Sequence, residues 1–214
     1  MRTALILPVL LLACRPSPGE PEYPDIRPYV DTDTDGDGKL PGDTPWDGSA
    51  PRLAISTFYE GGATDVLLVD DESVFFYIYE GSFTAQTSGD RVEGYVSQEL
   101  VISASTWWGG GIHSEGNPVD LREWDTLHVA LRSDDSELES FEIGMVGSVG
   151  EGRVSATTYG FVADGQWHVL EIPLADLSGA VGLDAVTVPL LLISASASPG
   201  TAILIDDLYF TQGE

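Results

Sequence analysis

From Leu53 onward the chain repeats short runs of Val, Ile, Leu and aromatic residues, punctuated by Gly, Asp, Ser and Pro. Nowhere does it keep a helical apolar period of about 3.6 residues for three turns. That pattern is the strongest limit on what the chain can become, because short punctuated runs are strands and turns. It predicts strands at 65–69, 74–79, 93–103, 126–132, 140–146, 153–162, 167–172, 186–194 and 201–210. Alternation supports several of them. In Leu127-His-Val-Ala-Leu-Arg132 the residues Leu127, Val129 and Leu131 share one face, with His128 and Arg132 on the other. Helical turns are expected only near Ala175–Leu177 and Leu121–Trp124. Many strands without strand–helix–strand alternation imply an all-β fold, a two-sheet sandwich or jelly roll.

Charge and cysteine content narrow the environment. The formal net charge of −26 and a single lysine, Lys39, give a surface that repels nucleic acid and anionic lipid. It favours divalent cations, neutral polymers or basic partners, and it also keeps an exported protein soluble. The one cysteine, Cys14, leaves no pair for a disulfide, so core burial must carry stability. Before it stand Arg2 and a short apolar run, Ala4–Leu12, too short to span a bilayer. The ending Leu11-Leu-Ala-Cys14 resembles the lipobox of bacterial lipoproteins. The resemblance implies a signal peptide over 1–13, cleavage before Cys14 and its lipidation. Several acyl chains anchor firmly where one would not, at about 0.8 kcal/mol per buried CH₂. Arg15 stands where an aspartate would retain a lipoprotein at the inner membrane in some bacteria. An outer-membrane address, with the folded part exported, is therefore expected.

Residues 14–51 are rich in Pro, Gly and Asp without an apolar period, and read as an acidic tether. Within it, Asp31-Thr-Asp-Thr-Asp-Gly-Asp-Gly-Lys39 has the alternating carboxylates of a calcium loop. The closing acid is missing, since Gly42 or Thr44 takes that place. The stretch also resembles a thrombospondin type 3 repeat, but Pro41 interrupts it, so a spacer is the favoured reading. The folded domain is expected over 52–214.

Three stretches of that domain carry a second resemblance. They are Pro118-Val-Asp-Leu-Arg-Glu-Trp-Asp-Thr-Leu-His-Val-Ala-Leu-Arg132, Asp164-Gly-Gln-Trp-His-Val-Leu-Glu-Ile-Pro-Leu-Ala-Asp-Leu177 and Ala202-Ile-Leu-Ile-Asp-Asp-Leu-Tyr-Phe210. Tyr77-Ile-Tyr-Glu-Gly81 and Trp107-Trp-Gly-Gly-Gly111 fit more loosely. In this order they resemble carbohydrate-binding modules of galactose-binding-domain-like jelly-roll fold. The resemblance implies a glycan or polysaccharide ligand. It also implies a structural calcium held by Asp206, with Glu80 as the matching acid.

The residues allow a similar chemistry. A flat aromatic ring covers the C–H face of a sugar while polar neighbours hold its hydroxyls. Trp107 and Trp108 precede three glycines that permit close backbone approach. His113, Glu115 and Asn117 follow, in what reads as a loop, with hydrogen-bonding groups. Adjacent tryptophans on a strand point to opposite faces, so at most one of the pair meets a ligand. Tyr159, placed on a strand, is a secondary candidate, while Trp124 and Trp167 are expected to pack. Asp206 and Asp207 interrupt an apolar run, and a buried carboxylate needs compensation. Parity with Leu204 and Leu208 favours Asp206 as the ligand.

Catalysis finds little support. There is no Gly-x-Ser-x-Gly elbow, the cysteine belongs to the anchor, and His113, His128 and His168 lack metal-ligand spacing. The expectation is a membrane-anchored, non-catalytic carbohydrate-binding lipoprotein. The alternative is a structural or adhesion lipoprotein whose jelly roll contacts protein.

Overall fold

The computed structural model describes residues 52–54, 66–67, 74–92, 97–104, 106–114, 116–138, 140–196 and 199–213. The expected signal peptide, lipidation site Cys14 and tether lie outside the described residues, as does Glu115. The strands are β1 (Arg52–Ala54), β2 (Val66–Leu67), β3 (Val74–Ile78), β4 (Phe83–Ser88), β5 (Ser97–Ile102) and β6 (Trp108–Ser114). After them come β7 (Thr126–Arg132), β8 (Glu142–Val146), β9 (Glu151–Ser155), β10 (His168–Pro173), β11 (Val188–Ser194) and β12 (Ala202–Thr211). One short helix, α1 (Ala175–Val181), grows from the expected turn after β10.

These strands form two sheets facing each other across one core, the expected all-β sandwich. The smaller has five strands in the order β3-β6-β11-β8-β9, all antiparallel. The larger has seven, with β10-β7-β12-β1-β2 as its spine and the β4–β5 hairpin attached to β12. All of its described pairings are antiparallel except β1 with β2. From the larger sheet, Leu127, Val129, Leu131, Ile203, Ile205 and Phe210 enter the core. They meet Trp108, Ile112, Ile143, Met145, Leu190 and Leu192 from the smaller. Each such side chain contributes about 1.5–3 kcal/mol over its exposed state, which is how a domain without disulfides holds together.

Strand β12 shows how the larger sheet is joined. On one side it pairs with β7 along its length; on the other, Ala202–Ile205 pair with β5 and Tyr209–Thr211 with β1. The register slips between Asp206 and Tyr209, and Asp207 has a φ of 49°. Aspartate tolerates that left-handed conformation better than most residues. A bulge at this point turns side chains onto new faces. The expected parity is therefore broken: Leu208 enters the core, whereas Leu204 lies on the opposite side with Asp206.

Another departure from expectation is β6. The triple glycine is the middle of a strand lying between β3 and β11, not part of a loop. Gly110 faces the core, where a Cβ would come within 2.5 Å of the Phe83 ring and 2.6 Å of the Tyr77 carbonyl. Phe83, from the opposite sheet, fills the space that glycine vacates.

Candidate functional site

Because Trp108, Ile112 and their even-numbered neighbours on β6 point inward, Gly109, Gly111 and His113 face outward. Trp107, just before the strand, shares that parity and is half-buried. On β3, Phe76 and Ile78 pack toward the core, which leaves Tyr77 and the following Tyr79 on the outer side. Tyr77 is 48% exposed. The tyrosine rings lie 5.4 Å apart at 54°, and His113 sits 5.3 Å from Tyr77 and 6.1 Å from Tyr79. The Tyr79 hydroxyl is 3.4 Å from His113 Nε2. A Cβ on Gly109 would stand 3.1 Å from Tyr79 Cδ2, so the ring of Tyr79 lies against the glycine backbone.

The register continues this floor across the sheet. Tyr77 pairs with Gly111, Gly111 with Leu191, Leu191 with Gly144 and Gly144 with Arg153. Four strand intervals span about 19 Å. Gly111 and Gly144 lack side chains and Leu191 is only 2% exposed, so the middle of this row is buried and its two ends, Tyr77 and Arg153, meet solvent. One wall is aromatic; the other is the ionic edge formed by Arg153 with Glu142, 3.2 Å away, and with Glu151. Burial, and then the Glu151 carboxylate, hold the Tyr79 hydroxyl above its ordinary pKa of 10.0, with Arg153 acting in the opposite sense. Tyr79 remains a neutral phenol, able to donate a hydrogen bond, well beyond neutral pH.

The residues singled out in the sequence scatter around this face. His113 is in it, but on a strand. Trp108 leaves the ligand set: it is 0% exposed, with its ring 5.5 Å from Phe141 and 6.3 Å from Phe83. Of the tryptophan pair, only Trp107 reaches the outside. Asn117 lies in the turn after β6, where its carbonyl accepts a 2.6 Å hydrogen bond from Ser114 Oγ. Tyr159 is not on a strand, because β9 ends at Ser155 and Ala156–Tyr159 form a 3₁₀ turn. Its ring packs on the core, and its hydroxyl donates to Asp176 at 2.6 Å. That bond, with lesser help from burial, pushes its pKa up to about 12. Trp124 packs against the core as expected, and Trp167 donates its indole N–H to Asp90 at 3.0 Å.

The described residues do not by themselves fit the expected calcium. Asp206 is buried in β12, where its carboxylate accepts from the Val92 N–H at 2.6 Å and the Asp207 N–H at 2.9 Å. Glu80 is exposed in the 3₁₀ turn Tyr79–Gly81 that joins β3 to β4. Among the described residues no three His, Cys, Asp or Glu side chains converge to hold a metal. Backbone amides compensate Asp206 where β12 changes neighbours.

The fold is a two-sheet jelly roll whose smaller sheet presents Tyr77 to solvent on its outer side, with Tyr79 and His113 half-buried beside it. The chain belongs to the carbohydrate binding domain 30 family, whose pattern matches residues 46–212. In structure it resembles the family 30 carbohydrate-binding module of a cellulosomal cellulase from Clostridium thermocellum. The TM-score is 0.55 at 20% identity, covering 66% of this chain and 92% of that one. It also resembles the family 11 module of another cellulosomal cellulase from Clostridium thermocellum, with a TM-score of 0.51 at 16% identity, covering 67% and 90%. At these identities the likeness concerns the fold. No curated protein sequence matches the chain.

Tyr77 and Tyr79 are what the sequence reading missed as contacts. The signal was present in Tyr77-Ile-Tyr79, two aromatics at strand spacing. Within so apolar a run, however, aromatics read equally well as core.

Proposed function

We propose that the outer face of the five-stranded sheet is a non-catalytic platform for a neutral glycan chain. Tyr77 and Tyr79 stack on successive sugar faces, while His113 and the Arg153–Glu142–Glu151 edge bond to hydroxyls. The observation that carries this reading is the pair of same-face tyrosines beside outward glycines, one ring nearly half exposed. Neutrality follows from charge. Arg153, the cation traced on this floor among the described residues, is engaged by two carboxylates, and the chain carries a formal charge of −26. An anionic polymer meets repulsion there. Cellulase modules among the structural neighbours make β-linked glucans the first probes.

Anchoring completes the proposal. Cys14, lipidated after cleavage of residues 1–13, would tie the module to a membrane, the outer one where the cell has two. The acidic tether would hold the platform away from the surface.

The test is a glycan array probed with the full chain and with Tyr79→Ala, each with calcium and with a chelator. Binding to neutral glycans that Tyr79→Ala loses supports the platform. Binding that survives chelation separates it from any metal. Silence from a folded sample overturns it in favour of a protein-contact role. Fatty-acid labelling that disappears in Cys14→Ser checks the anchor independently.

A further inference from the structure

Where the tyrosine face ends, beyond β3 and before β6, lies a cleft of about 270 Å³ lined by Glu80, Gly81, Ser82, Ser103, Thr106 and Trp107. Its frame is fixed by internal bonds. Ser82 Oγ donates to the Gly109 carbonyl at 3.1 Å and accepts from the Gly109 N–H at 3.0 Å, which locks the start of β6 against the turn after β3. Ser103 Oγ donates to the Gly81 carbonyl, and the Ser82 carbonyl accepts from the Ser103 N–H, both at 3.0 Å. With these hydroxyls committed, the groups left to a ligand are the Trp107 ring, the Glu80 carboxylate and the Thr106 hydroxyl. Neither Glu80 nor Thr106 has a hydrogen-bond partner among the described residues.

Glu80 is held under strain. Its φ is 51°, followed by 63° at Gly81, so a non-glycine residue occupies the left-handed region. Such conformations persist where the surroundings impose them, and they gather at binding sites. Here the turn that imposes it sets a carboxylate on the cleft wall. The cleft also adjoins the platform: Trp107 shares the outward parity of Gly109, against which the Tyr79 ring rests. Its volume falls just below the range of about 300–1,000 Å³ that suits drug-sized ligands. One sugar ring suits it better than an oligosaccharide.

We propose that this cleft is a terminal subsite that takes a single neutral pyranose unit, with its C–H face on Trp107 and adjacent hydroxyls donating to Glu80. The inference rests on the platform reading, because the unit it takes continues the chain lying over Tyr77 and Tyr79. A subsite differs from a general contact in one respect: it acts only on ligands long enough to reach it.

The experiment is calorimetric titration of the full chain with linear β-linked gluco-oligosaccharides of two to six units. Wild type, Trp107→Ala, Glu80→Gln and Tyr79→Ala are compared, with circular dichroism and melting curves as controls for folding. Trp107→Ala is expected to bind the longest ligand about tenfold more weakly, an aromatic contact's worth. It then matches wild type with a ligand one unit shorter, while the shortest ligands bind as to wild type. Glu80→Gln weakens the same long ligands by a smaller factor. If Trp107→Ala does not fold, Glu80→Gln and Trp107→Phe carry the same length test. Equal weakening at every length, or none, overturns the subsite and leaves the platform standing. Wild type silent at all lengths, or Tyr79→Ala binding like wild type, overturns the platform and the subsite with it.

Discussion

The outer faces of the two sheets carry nearly the same residue types and use them in opposite ways. On the larger sheet, the His128 and Tyr209 rings stack 4.6 Å apart at 10°, and the Arg52 guanidinium lies 4.8 Å from the Tyr209 centroid. Arg52 also donates to Asp207 at 3.0 Å, and His128 Nε2 is 2.8 Å from Thr211 Oγ1. Arg52, His128, Asp207 and Tyr209 are all buried. On the smaller sheet, Tyr77, Tyr79 and His113 meet at tilted or edge-on angles, Tyr77 exposed and the other two half-buried, with Arg153 exposed at the far edge. Histidine, tyrosine, arginine and an acid make a structural clamp in one place and a candidate ligand face in the other. Burial and ring geometry separate the two. Composition does not.

The clamp has a specific task. Arg52 stands on three-residue β1, and its ion pair with Asp207 secures that strand against β12 where the ladder changes neighbours. The bulge that gives Asp207 its positive φ also places its carboxylate for this pair. Local strain and long-range attachment are thus offset in one contact.

The sharpest way to break the comparison is Arg52→Ala. It leaves the Asp207 carboxylate buried without its cation, a change that costs about 3–5 kcal/mol. Chemical denaturation should show that loss, while the folded fraction keeps its glycan affinity. An equal loss of affinity would mean that the two faces are not independent.

Acid should separate the faces next. Burial first, and the nearby Arg52 charge second, lower the His128 pKa from 6.5 to about 4. The fold accommodates neutral His128, whereas the unfolded chain binds a proton near pH 6.5. His128's contribution is therefore complete above 6.5 and is lost as pH falls toward 4. The loss reaches roughly 3 kcal/mol at the bottom of that window. Urea midpoints measured between pH 7 and 4 should fall accordingly, and His128→Gln should flatten that part of the slope. An unchanged slope would remove His128 from the clamp.

A smaller effect in free energy, but the one that concerns function, is Tyr79→Ala. Loss of one central aromatic contact should weaken glycan binding by about 2 kcal/mol, roughly 30-fold. Stability should change less than in Arg52→Ala, because the ring packs on a glycine surface rather than inside the core. Tyr77→Ala should follow the same pattern. Titration beside a melting curve distinguishes this from partial unfolding.

The smallest expected change belongs to Tyr159→Phe, which removes the hydrogen bond to Asp176. A stability loss below about 1 kcal/mol and unaltered glycan affinity are expected. Weakened binding would return Tyr159 to the ligand face.

Much of the fold was legible because its central strands alternate cleanly. Thr126–Arg132 has the predicted limits, and β8, β10, β11 and β12 lie within two residues of expectation, whereas β9 stops at Ser155, seven residues before the expected end, because Ala156–Tyr159 turn away as a 3₁₀ helix. The missed strands are instructive. β4, Phe83-Thr-Ala-Gln-Thr-Ser88, has one buried side chain because it flanks the sheet, so it offers little apolar signal. β1 is too short to show a period. β6 contains three glycines, which weaken local strand preference, and it exists because β3 and β11 pair with it on both sides.

The sequence by itself determined the class of fold, since alternating apolar runs bury one face each and admit no helical solution. It also determined the kinds of residue available for sugar contact and, through the order of its motifs, the resemblance to carbohydrate-binding modules. Tertiary structure decided which residues those are. It sent Trp108 inward and Trp107 outward, placed Tyr77 and Tyr79 beside outward glycines, and tied Asp206 and Asp207 to backbone amides and Arg52. The reason is geometric: parity fixes which residues share a face, but only pairing, bulges and the opposing sheet fix which face is covered.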